Sequence, residues 1–140
     1  MAPRQKDVMN HAWEPVAEML RAEIAEYGRL LTLFEEERNL IRGADPEEVV
    51  AARNAILAQY AVLDQYRLGR RREVESFATA LGKPASSTLR SLLPLMVPEA
   101  RPLFEALVAE LNNLIHRVRL DGRKDPRSQG RAAETRASAA

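Results

Sequence analysis

The sequence predicts an all-α protein: an elongated antiparallel helical hairpin, then a short proline-bent helix, a C-terminal amphipathic helix and a disordered basic tail. Three observations carry this prediction. The apolar residues are helix formers, 18 Leu and 22 Ala against nine Val and four Ile, and with only 5% aromatics they disfavour a β-rich fold. Two long segments repeat apolar residues every three or four positions. Between them lies one short stretch with the local chemistry of a helix end followed by a helix start. At 140 residues and 46% hydrophobic content the chain can build one core. Residues 1–122 therefore read as a single helical domain, with helices at about 12–42, 46–81, 87–97 and 99–120, and 123–140 as the tail.

The first helix follows from Trp13, Val16/Ala17, Leu20, Ile24, Tyr27, Leu30/Leu31, Phe34 and Leu40/Ile41, a helical period sustained over many turns. Pro15 fits only its first turn, where a missing N–H has no partner to lose. Glu14, Glu18, Glu23, Glu26 and Glu35 to Glu37, interrupted by Arg21, Arg29 and Arg38, read as the solvated opposite face. Gly43 suits a left-handed residue past the helix end, and Asp45-Pro46-Glu47-Glu48 reads as N-cap, N1, N2 and N3 of the next helix. That second helix carries Val49, Ile56, Tyr60, Leu63, Val74, Phe77 and Leu81 on one seam. Joined by so short a turn, the two helices must run antiparallel. At about 1.5 Å per residue each is on the order of 45 to 55 Å long, which makes the molecule elongated.

The second seam is interrupted, because positions 53, 67 and 70, where the pattern calls for apolar residues, are all Arg. Two readings stand. Arg67 and Arg70 lay their methylene stems on apolar neighbours and pair with glutamates of the first helix, or Arg67, Arg70 and Arg71 form a contact site. Gly82-Lys83-Pro84 ends the helix, and Pro94 allows only a short or bent helix over Leu89 to Val97. Pro98 and Pro102 bracket the start of the last helix, whose stripe is Leu103, Leu107, Leu111, Leu114 and Val118, with Phe104, Val108 and Ile115 alongside. Gly122 reads as its end. From Asp121 onward the chain has no large hydrophobe and five Lys/Arg, so it should be disordered.

Composition also bounds function. With no Cys there is no disulfide framework, thiolate metal site or cysteine nucleophile. His11 and His116 stand far apart, and no HExxH, GxGxxG or P-loop pattern occurs, so the expectation is a protein that is not an enzyme and uses no cofactor, metal or small-molecule substrate. No apolar run could span a bilayer and the N-terminus lacks the apolar core of a secretory signal, which points to the cytoplasm without membrane insertion. Charged residues make up 29% of the chain but leave a net charge of only +1, a balance that weighs against nucleic acid as partner. What remains is amphipathic helical surface, the usual currency of protein–protein recognition.

Leu33-Phe34-Glu35-Glu36-Glu37-Arg38-Asn39-Leu40, the helix–helix turn with Asp45, Arg53-Asn54-Ala55-Ile56-Leu57, Leu63-Asp64-Gln65-Tyr66-Arg67 and Leu111-Asn112-Asn113-Leu114-Ile115 together resemble the FlgN-like flagellar export chaperones. In order they cover about residues 13 to 118. The resemblance implies a cytoplasmic chaperone of flagellar type III secretion that binds hook-associated proteins of the hook–filament junction by their helical termini. It would prevent their premature assembly and deliver them to the export gate, with the export apparatus as a further partner. It also implies that the C-terminal helix binds the client, which by position and periodicity assigns Leu103, Leu107, Leu111, Leu114 and Val118; the interrupted seam, read on its own residues, offers Arg67, Arg70 and Arg71 as a secondary contact. Two other classes remain open at this stage: a coiled-coil adaptor or oligomer, and a regulator binding nucleic acid through Arg67 to Arg72.

Overall fold

The computed structural model of the protein describes residues 12–40, 43 and 45–124. It is all-helical: α1 (Glu14–Leu40), α2 (Pro46–Ala80), α3 (Leu89–Leu92), a 3-10 turn (Leu93–Leu95) and α4 (Arg101–Lys124). The expectations for residues 41, 42 and 44 and for the tail beyond Lys124 lie outside the described residues.

Local chemistry accounts for the helix ends. Gly43 has φ of +128°, conformational space that favours glycine. Asp45 is extended, and its carbonyl accepts from the Glu48 and Val49 amides at 3.0 and 3.3 Å. Its side chain makes no capping bond, so this start rests on backbone shape, Pro46 at the first turn and the favourable field on Glu47 and Glu48. At the other end Gly82 has φ of +73°, and the Lys83 amide donates to the Ala78 carbonyl at 2.8 Å while the Gly82 amide donates to Thr79 at 3.0 Å. This 6→1, 5→2 pair is a Schellman stop. The segment expected as one bent helix is a single α-turn capped by Thr88, whose hydroxyl accepts from the Ser91 amide, followed by the 3-10 turn at Pro94. Arg101 then fastens this connector, its guanidinium donating to the carbonyls of Pro94 at 2.7 Å and Met96 at 3.2 Å.

Three pairs define the packing of the hairpin. Glu37 meets Arg53, Glu26 meets Gln59 and Glu23 meets Arg70, so partner numbers on α2 rise as those on α1 fall, and the helices are antiparallel. Trp13 meets Phe104 and Arg38 meets Asp121, so α4 runs parallel to α1. Both α2 and α4 pack on α1, which is the central element.

Three sequence expectations are corrected. On α1 the buried positions include Val16, Leu20, Glu23, Tyr27, Leu30, Phe34 and Glu37, alternating steps of four and three. Glu23 and Glu37, read as solvated, are therefore seam residues, 0% and 3% exposed, because arginines of α2 stand opposite them. Gly122 does not end the last helix: it is buried inside α4, one turn beyond the fully buried Val118. Residues 123 and 124 accordingly belong to that helix and not to the tail.

Gly82→Ala should cost about 1 to 2 kcal/mol, because an L side chain is strained at positive φ. A lowered urea midpoint with unchanged slope would verify it.

Candidate functional site

The predicted apolar stripe of the last helix is divided by the structure. Leu111, Leu114 and Val118 are buried, whereas Leu103 and Leu107 lie half-buried at the margin of the core. Phe104 and Ile115, read only as flanking, are buried with them, and Phe104 is fully enclosed. Its ring meets the edge of Trp13 with centroids 5.9 Å apart and planes at 82°. The stripe is thus occupied by α1 in this state. The buried charged and polar residues among those described lie on α1 and α2, so the docking face of α4 is mainly apolar, with Arg119 and Asp121 as half-buried charges near its C-terminal end. Asp121, half-buried, pairs across to Arg38 of α1 at 3.6 Å.

The arginines are divided too. Arg70 Nε lies 2.9 Å from Glu23 Oε1, which realises the predicted pairing with the first helix. Arg67 instead pairs with Asp64 one turn back on its own helix, at 3.4 Å. Arg53 Nε lies 3.4 Å from Glu37 Oε2. Arg71 is exposed and has no ion-pair partner among the described residues. Arg67, Arg70 and Arg71 do come together, along one wall of a cavity of about 330 Å³ whose other wall is the 85–89 connector.

Burial raises the pKa of the Glu23 carboxyl above the ordinary 4.5, against the opposing attraction of Arg70 and then Arg67. One turn on, burial pushes the Tyr27 phenol up to about 12, with the nearby Glu23 charge acting in the same direction. These are structural effects in a helix seam. Among the described residues no group of three His, Cys, Asp or Glu could hold a metal ion, and no helix is long and apolar enough to cross a membrane. The arrangement offers apolar faces and guanidinium groups, which suits binding of helices. The spacing already contained the signal for the buried glutamates, since Glu23 and Glu37 fall on the same four-three alternation as Leu20, Tyr27, Leu30 and Phe34.

A family model described as FlgN protein matches residues 9–120 of the chain. No curated protein and no solved structure matches it significantly.

Two outcomes follow from the buried pair. Arg70→Leu leaves Glu23 without its nearest counter-charge and should cost about 3 kcal/mol or more at neutral pH, with much of the loss recovered in Glu23→Leu/Arg70→Leu. Denaturant titration of the three proteins measures this. A raised carboxyl pKa means the folded state holds the proton more tightly than the unfolded chain. Glu23 therefore contributes stability that is complete below pH 4.5 and lost as pH rises through its raised pKa. Glu23→Gln should flatten the fall in stability above pH 4.5, read as urea midpoint against pH.

Proposed function

Since the chain belongs to the FlgN protein family, the flagellar export chaperones, we propose that its clients are hook-associated proteins of the hook–filament junction and that it engages their terminal helices through the inner face of α4. In this reading it acts in the cytoplasm, shields those helices from premature assembly and hands them to the export gate without itself consuming nucleotide.

The observation that supports this reading is the apolar docking of α4 on α1 behind a connector that contains Pro94, Pro98 and Pro102. A helix held by an apolar face can exchange one apolar partner for another at little electrostatic cost. When α4 swings outward, Phe104, Leu111, Leu114 and Val118 and the facing side of α1 open together. A client helix can then lie between two apolar walls, with Leu103 and Leu107 extending the surface. Because the closed state occupies its own site, client affinity is reduced by the fraction of molecules that are closed. This guards the apolar face between clients.

Arg71 supplies a secondary contact beside the cavity, while Arg67 and Arg70 carry counter-charges from Asp64 and Glu23. That partial neutralisation of the arginine run also favours a protein partner over a phosphate backbone.

Replacing Leu107 and Leu111 together with polar residues should weaken binding of a hook-associated protein by at least about a hundredfold, each buried Leu being worth roughly 1.5 to 3 kcal/mol. Isothermal titration, with helicity of the variant checked by circular dichroism, measures this. Unchanged affinity in a folded double variant would move the site away from α4. Trp13, the single tryptophan, reports the motion: its emission should shift to the red on client binding if Phe104 leaves it.

A further inference from the structure

The flank of α2 turned away from α1 is unexpectedly apolar. Val50 is 55% exposed, Leu57 46% and Leu68 37%, and Ala61 is exposed between the last two. Steps of seven, four and seven residues place these four on one line along the helix, about a third of a turn from the seam on α1. No other described element covers this line, since α4 packs on α1. On the same flank the helix begins with exposed Glu47 and nears its end with exposed Arg72, neither ion-paired among the described residues.

We propose that this flank is a self-complementary interface on which α2 of a second copy docks antiparallel, about a two-fold axis level with Gln59. That register sets Leu57 of each copy against Ala61 of the other, a large side chain against a small one beside the axis. Farther out Val50 meets Leu68, and between these Asn54 meets Gln65, amide to amide. At the ends Glu47 meets Arg72, twice. The four pairings are centred within half a residue of one another, at 59 for the apolar two and 59.5 for the polar two, and each is made twice by symmetry, which is the requirement of an isologous contact.

The charges decide both partner and direction. Parallel pairing would set Glu47 on Glu47 and Arg72 on Arg72, whereas antiparallel pairing joins opposite charges at both ends. A second copy carries the complementary distribution by construction. The contact is one helix pair, small among specific interfaces, so the dimer is weak and concentration-dependent. It leaves α4 and the inner face of α1 untouched, and so stands independently of the client-binding reading.

Sedimentation equilibrium of the full chain tests it. The apparent mass should climb toward twice 15.7 kDa with concentration and fall back in high salt. Leu57→Glu should abolish dimerisation without loss of helicity, since the side chain is exposed. Glu47→Arg and Arg72→Glu should each weaken dimerisation at least about tenfold, and the two combined should restore it. The chain has no Cys, so introduced thiols report register cleanly. Mixed Val50→Cys and Leu68→Cys chains should crosslink, whereas Val50→Cys alone should not, because antiparallel pairing holds the two copies of that position about 27 Å apart. A chain that stays monomeric at all concentrations, a dimer indifferent to Leu57→Glu, or self-crosslinking of Val50→Cys would each overturn the proposal. Client titration on the Leu57→Glu chain should give unchanged affinity; a large loss there would overturn self-pairing and assign this flank to the client.

Discussion

Glu23 and Glu37 lie inside the helix–helix seam, and the rest of the hairpin is arranged around the requirement that each meet an arginine. A buried carboxylate without a counter-charge costs several kcal/mol, far more than a misplaced leucine. Arg70 and Arg67 approach the first and Arg53 the second. Sliding α2 by one heptad along α1 would carry Glu23 past its arginines to apolar neighbours such as Tyr60 or Val74. Apolar seams alone tolerate such slips because one leucine layer resembles another. Two charged layers remove that degeneracy, so they contribute specificity of register more than net stability.

With α2 held in register, α1 becomes a strut buried along two faces. Toward α2 it presents a seam that includes charge; toward α4 it presents an apolar surface against Phe104, Leu111, Ile115 and Val118. The two contacts differ in kind. Separating α1 from α2 would strand buried ionised groups, whereas separating α1 from α4 breaks the more exposed Arg38–Asp121 pair and otherwise exposes apolar surface that another apolar helix can cover. The hairpin is therefore the part suited to remain intact in the proposed exchange of partners by α4, in a chain of the FlgN family of export chaperones.

The long helices and the ends of the antiparallel hairpin were legible in the letters, since these depend on neighbours a few residues away: the four-three spacing, Gly43, Asp45-Pro46 and Gly82. The apolar stripe of α4 was legible for the same reason. Two features misled because their local chemistry points the wrong way. Glutamates normally mark a solvated face, and Gly122 normally marks a helix end.

The sequence by itself thus determined which segments are helical, where the chain reverses, and that charge interrupts the second seam at positions 53, 67 and 70. Only the tertiary structure decided that Glu23 and Glu37 are buried, that Arg67 turns to Asp64 while Arg70 reaches across, and that α4 lies parallel to α1 with Phe104 against Trp13 at the start of that contact. The physical reason is range. Periodicity and capping act within one or two turns, but whether a charge on a seam is tolerable depends on the residue that register brings opposite it from the other helix. That partner is chosen by the packing of whole helices, where a few buried ions outweigh any local preference.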